Sequence, residues 1–330
     1  MYLNGVNVKD PGSAGYKKMT RRFSGRGEGR FWEIDFLRGL CVILMVFDHL
    51  MYCLWDIMPI INDTLGTTLF AECEELGRAY WSWNVRLYAR GIVITLFFLL
   101  CGVSCTLTRG NFRRAVPLGL VALGITAVTS LLSEFTGSNM TVLFGVIHML
   151  ACAVFLYAFL DNAAVAAGDC LGEGRVGCGV KSALRLLPGL VGAGLLLWYF
   201  SLSGLASFTF EGGYGHVVSN FTGAAGVEEN KFLAVFLYIR PDASNGNFNF
   251  ERYSGDYFPL LPFAATVLLG GLIGRIVYHT RAKYAFAPLD GAWNSGVCFL
   301  GRHTAVIYIA HMIVIPVLLA AAAFVSKAFL

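Results

Sequence analysis

The sequence predicts an all-α, polytopic membrane bundle with at least seven transmembrane helices and a cytoplasmic N-terminus. Three observations lead there. Of the 330 residues, 56% are hydrophobic and only 14% are charged, against roughly 25% charged in soluble domains. The apolar residues gather into long continuous runs, unlike the alternating pattern of a membrane β-barrel. The cations are distributed unevenly among the segments between those runs. The same composition excludes a disordered chain. The net charge of +4 is too mild for a nucleic-acid binder, so lipid is an expected partner and nucleic acid is not.

Seven apolar runs stand out, at about 34–55, 88–108, 115–133, 141–160, 184–204, 257–278 and 303–326. Each is long enough to cross ~30 Å of hydrocarbon as a helix, the default where no backbone group can be left unpaired. Residues 1–30 form a basic tail with seven Lys/Arg and two acids. No signal-peptide core lies there, and no small-residue cleavage site follows the first run, which is expected to remain as an anchor. The rest, 31–330, reads as a single transmembrane domain. Segments 1–30, 109–114, 161–183 with Arg185, and 275–302 hold 17 Lys/Arg, whereas 56–87, 134–140, 205–256 and the C-terminal end hold six. That bias places the first set in the cytoplasm and makes the chain a multi-pass protein of the cell (plasma or inner) membrane. Segments 56–87 and 205–256 are then long outer loops, and long loops in compact folds are often functional. Within the second, Phe232 to Ile239 is too short to span and fits a re-entrant or interfacial helix.

The nine cysteines lie mostly in apolar runs, where Cys behaves as a small hydrophobe. Their odd number and the absence of CxxC support neither a disulfide framework nor a metal site. Gly270 and Gly274, four apart in an apolar run, point to close helix packing.

The first run holds Asp35, Arg38, Asp48 and His49, four ionisable groups in or near hydrocarbon, where such groups face a cavity or a partner. Arg38 and His49 are eleven residues apart. On a helix that brings them within about 20° of one another, separated by about 16 Å along the axis. Tyr52 and Asp56 continue the stripe, and Asp48 points about 100° away from His49. A plainer reading stays open for each: Arg38 snorkelling to headgroups beside Asp35, and His49 as a hydrogen-bonded packing histidine.

The stretch Glu33-Ile34-Asp35-Phe36-Leu37-Arg38-Gly39, followed by Val42-Ile43-Leu44-Met45-Val46, resembles the catalytic domain of heparan-α-glucosaminide N-acetyltransferase and its prokaryotic relatives. The spacing of Arg, ten residues, then His is also similar to the wider group of membrane acyltransferases that acetylate extracytoplasmic glycans. Three further stretches agree, in the same order: Leu96 to Ser104, Phe144 to Leu150, and Asp256 to Pro262, with Leu300 to His311 closing the set. The resemblance implies acetyl transfer across the membrane, from cytoplasmic acetyl-CoA to an amine or hydroxyl of an outer sugar or glycan; no metal is expected, since the cysteines offer no zinc site. Related enzymes include homodimers, so a homo-oligomer is compatible with it. The family's essential histidine acts on the acceptor side, and His49 takes that role as general base or as an acetyl carrier.

Asp256 would orient His49 or bind the sugar, its alternative being a helix N-cap. His311, one turn after Tyr308, would line the same cavity or simply bridge helices. On the donor side stand Arg38, Arg109, Arg113 and Arg114, suited to coenzyme A phosphates, with Ser104 and His148 from the resembling stretches. Ordinary positive-inside charge explains the last three arginines equally well. A second function class is a small-molecule transporter or exporter, the ionisable stripe then being its pathway. Against it, the chain has no inverted repeat and no matched pair of broken helices.

Overall fold

The computed structural model describes residues 31–108, 110–136, 141–170, 175–203 and 258–329, and a short antiparallel pairing of Tyr2–Leu3 with Val6–Asn7. Apart from that pairing, the described regular structure is helical. Among the described residues, six stretches are long and apolar enough to cross a membrane: Trp32–Leu65, Asn84–Thr106, Asn111–Phe135, Val146–Asp169, Leu260–Tyr278 and Thr304–Ala328. The expected crossing at 184–204 is the shorter helix Leu187–Ser203, of 17 residues. The chain divides into two compact units, Met1–Phe97 with Lys283–Leu330, and Phe98–Ala282.

In the first unit, α1 (Trp32–Tyr52) follows an extended Phe31, and Glu33 and Asp35 occupy its first turn, where acids suit the positive end of the helix dipole. Trp32, Ile34, Cys41 and Val42 are buried, whereas Leu40, Ile43, Leu44 and Phe47 are exposed. An apolar exposed face is what a lipid-facing helix presents. A five-residue π-turn, Cys53–Ile57, joins α1 to α2 (Met58–Leu65). Cys53 and Met58 pack with Leu319 and Ala323. The segment 56–87, expected as a loop, is therefore mostly helix. Pro59 sits at the start of α2, and Gly66, at φ 67°, closes it in the left-handed region, which glycine adopts without cost. Then come α3 (Ala71–Trp81) and α4 (Asn84–Thr106).

Toward the C-terminus, α10 (Ser295–Arg302) and α11 (Thr304–Phe329) complete this unit. Helices α1 and α10 cross on glycine. A Cβ on Gly39 would overlap the Val297 carbonyl, and one on Gly301 the Asp35 carbonyl. Replacing Gly301 with valine is expected to lower stability by at least about 1–3 kcal/mol through overpacking. Thermal unfolding in detergent reads this out, and an unchanged midpoint contradicts the close crossing.

The second unit holds the end of α4, then α5 (Asn111–Thr136), α6 (Val146–Asp169), α7 (Arg175–Leu184), α8 (Leu187–Ser203) and α9 (Leu260–Tyr278). Small residues again set the contacts. Added Cβ atoms on Gly102 and Gly270 would strike the backbones of Val267 and Leu99, and one on Gly274 would strike Thr106. The Gly270/Gly274 pair is thus a packing device, as its spacing suggested. Gly189 and Gly192 lay α8 against Leu272 and Leu268 in the same way. Val154, Tyr157 and Leu268 form the dry centre.

Candidate active site

Within the first unit, α1 and α11 bring two imidazoles together. The His49 and His311 rings meet edge to face, with centroids 4.7 Å apart at 79°. Nδ1 of His49 lies 2.8 Å from the Met45 carbonyl, and Nδ1 of His311 lies 3.1 Å from the Ile307 carbonyl. A carbonyl only accepts, so in both rings Nδ1 carries the hydrogen and, in the neutral form, Nε2 keeps its lone pair. His311 is 5% exposed, and its Nε2 is buried without a hydrogen-bond partner. Two bases of fixed tautomer therefore stand side by side where the backbone is fully engaged. Tyr308 flanks His311, ring centres 5.7 Å apart.

The neighbouring face of α1 carries an ion pair that sequence reasoning missed. Arg86 of α4 grips Asp48 with two bonds, Nε to Oδ1 at 2.7 Å and Nη2 to Oδ2 at 3.0 Å. The side chains are 3% and 16% exposed respectively. The guanidinium also lies 3.4 Å from the Trp81 ring centre, and the Tyr80 hydroxyl donates to Asp48 Oδ1 at 3.1 Å. Burial first, and then the Asp48 charge, push the Tyr80 phenol above its ordinary range, so it stays protonated and keeps donating. One turn past His49, the Tyr52 hydroxyl donates to Asp56 at 2.6 Å. A carboxylate in an apolar run demands a cation. That signal was present, but it did not say whether Arg86 or Arg90 would answer it.

The remaining predicted residues are distributed as follows. Arg38 lies half-buried on the same unbroken helix as His49, so the separation of about 16 Å along the axis holds. Asp256 and Arg109 lie outside the described residues. The others belong to the second unit. The Ser104 hydroxyl donates to the Leu100 carbonyl at 2.7 Å. His148 accepts the Gly145 N–H at Nδ1 (3.2 Å) and turns Nε2 to the Thr126 hydroxyl (2.9 Å), which itself donates to the Val142 carbonyl. Both ring nitrogens thus latch the start of α6 to α5. Arg113 is exposed, whereas Arg114 reaches the Thr108 hydroxyl at 3.2 Å and Asn111 Oδ1 at 3.5 Å.

Thr108 and Asn111 form one wall of a polar cavity of about 560 Å³ inside the second unit. Thr106 at the end of α4, Asp161 and Asn162 of α6, Arg185 before α8, and Arg275 with His279 at the end of α9 supply the rest of its polar lining. Segments from the end of α4 to the end of α9 build it, which is why no local motif announced it. Among the described residues, no group of three or more His, Cys, Asp or Glu is placed to hold a metal.

A family model described as heparan-alpha-glucosaminide N-acetyltransferase, catalytic, matches residues 30–168 and 229–313, well over half of the chain. No curated protein and no solved structure matches at a significant level. The matched segments include α1 with His49 and the part of α11 that carries His311.

Proposed function

The chain belongs to the heparan-alpha-glucosaminide N-acetyltransferase catalytic family and is a multi-pass membrane acyltransferase, and from that premise we propose that it transfers acetyl from cytoplasmic acetyl-CoA to an amine or hydroxyl of an extracytoplasmic sugar or glycan. The observation that carries this reading is the His49–His311 pair, two adjacent imidazoles whose basic nitrogens are both set by helix carbonyls.

In this reading the acceptor nitrogen or oxygen bonds to the thioester carbonyl carbon while His49 Nε2 takes its proton. The tetrahedral intermediate then collapses, the carbon–sulfur bond breaks, and the coenzyme A thiolate leaves. The imidazolium returns the proton to that sulfur, so the base is regenerated. Nε2 of His311 offers the imidazolium a neighbouring lone pair. Asp256 is retained as a candidate for orienting the acceptor, and Arg38 as the cation nearest the donor's entry on α1. The N-terminus is placed in the cytoplasm on the 17-to-six distribution of Lys/Arg, and α8 is counted as the seventh crossing, since about 17 residues is the short end of spanning length.

The direct test uses purified full-length protein with labelled acetyl-CoA and glucosamine-terminated oligosaccharides. Transfer of label is the expected result. Acetyl-CoA at a hundred times its dissociation constant should also stabilise the fold by about 2.7 kcal/mol. A protein whose melting is indifferent to acetyl-CoA, and which moves no label, removes the reading.

A further inference from the structure

The polar cavity of the second unit is lined by neither imidazole of the pair. At about 560 Å³ it falls within the usual range for small-molecule pockets, roughly 300–1,000 Å³. Its charge is unbalanced, with Arg185 and Arg275 set against the single carboxylate of Asp161, and His279 beside them. Asp161 accepts one bond from Arg275 at 2.9 Å, and the Arg275 side chain is only 13% exposed. This carboxylate orients the guanidinium. Arg185 stands exposed at the rim and pairs with no carboxylate among the described residues. His279 is held by Nε2, which donates to the Thr106 carbonyl at 3.1 Å. Behind the wall, Arg114 braces Thr108 and Asn111.

Positive-inside charge accounts for cations at helix ends. It does not account for two guanidiniums and an imidazole converging on one cavity, with a carboxylate fixing one of them. We propose that this cavity binds a phosphate ester. Guanidinium forks match phosphate oxygens two at a time. The apolar lining of Leu107, Ala158 and Val165 suits the carbon portion of the ester. Two molecules carry that chemistry to a membrane protein: the phosphorylated nucleotide head of coenzyme A, and the headgroup of an anionic phospholipid, for which basic pockets between membrane helices are known sites. The coenzyme arm rests on the acetyl-transfer reading, and the lipid arm does not.

The test compares the full-length protein with Arg185→Gln and with the double variant Asp161→Asn/Arg275→Gln, which removes both charges so that neither is left alone. Each is titrated with adenosine bisphosphate, the isolated head of coenzyme A. Each is also melted in phosphatidylcholine nanodiscs with and without phosphatidylglycerol. Binding of the nucleotide that weakens about tenfold or more in Arg185→Gln assigns the cavity to coenzyme A. A phosphatidylglycerol-dependent rise in melting temperature that Arg185→Gln loses assigns it to lipid. Arg185 is exposed, so this variant stays interpretable if the double variant fails to fold. If the wild type responds to neither ligand, or Arg185→Gln responds to both as the wild type does, the proposal is overturned. A wild type that binds the nucleotide yet moves no acetyl group sinks the functional reading and leaves this site standing.

Discussion

Replacing His49 with alanine is expected to abolish acetyl transfer, with a loss of about 10²–10⁴ in rate, the usual contribution of a positioned general base. The fold should survive, because the ring's bond goes only to the Met45 carbonyl one turn away on the same helix. The variant should therefore melt close to the wild type and should still be stabilised by acetyl-CoA. Free imidazole in the assay should restore part of the rate, since it supplies the missing base, and a merely structural histidine would not be rescued this way. His311→Ala should also reduce turnover. The double variant should lose far less than the product of the two single losses, because the rings touch and share one task. Wild-type turnover in His49→Ala would remove this residue from the mechanism.

Arg86→Met has the largest expected effect on stability. It leaves the Asp48 carboxylate, only 16% exposed, without its cation, and breaking such a buried pair from one side costs about 3–5 kcal/mol. It also removes the guanidinium from the face of Trp81, a contact worth up to about 2 kcal/mol when desolvated. The double variant Asp48→Asn/Arg86→Met should recover much of the loss, since no charge is then stranded. Denaturation in detergent separates the cases, and a single variant within about 0.5 kcal/mol of wild type would show the pair to be solvated. The Glu74–Arg78 pair on α3 is the natural control. Its partners are 32% and 65% exposed, and exposed pairs of that kind contribute only about 0.2–1 kcal/mol.

The membrane class and most helices were legible because long apolar runs have few alternatives. The polar stripe of α1 was legible for the same kind of reason, as helical periodicity fixes which residues share a side. Segment 56–87 reads as a connection, yet it holds helices α2 and α3, whose signals are present in the sequence. Pro59 and Gly66 bracket α2 in the order that starts and stops a helix. Glu72, Glu74, Glu75 and Arg78 give α3 the look of a solvated connection, whereas acids in a first turn and Arg in a last turn also suit a helix dipole. The meeting of His49 with His311 and of Asp48 with Arg86 was beyond sequence reasoning, because each depends on how separate helices cross. The sequence shows that a buried charge needs a partner, and packing decides which one it takes. The cavity was less legible still, with lining residues spread from Thr106 to His279.

The π-turn at Cys53–Ile57 acts as a clock correction. The Met58 amide reaches back five residues to the Cys53 carbonyl, so everything from Met58 onward runs one residue late relative to the rotation set by α1. That lag, about 100° of turn, aims Met58 at Leu319 and Ala323, where it is 1% exposed. Deleting a single residue from 53–57 would therefore let this turn close as ordinary α-helix with Met58 still seated on Leu319 and Ala323, whereas straightening the turn at its present length would swing Met58 out of its socket and uncouple the α2 end of the rod from α11.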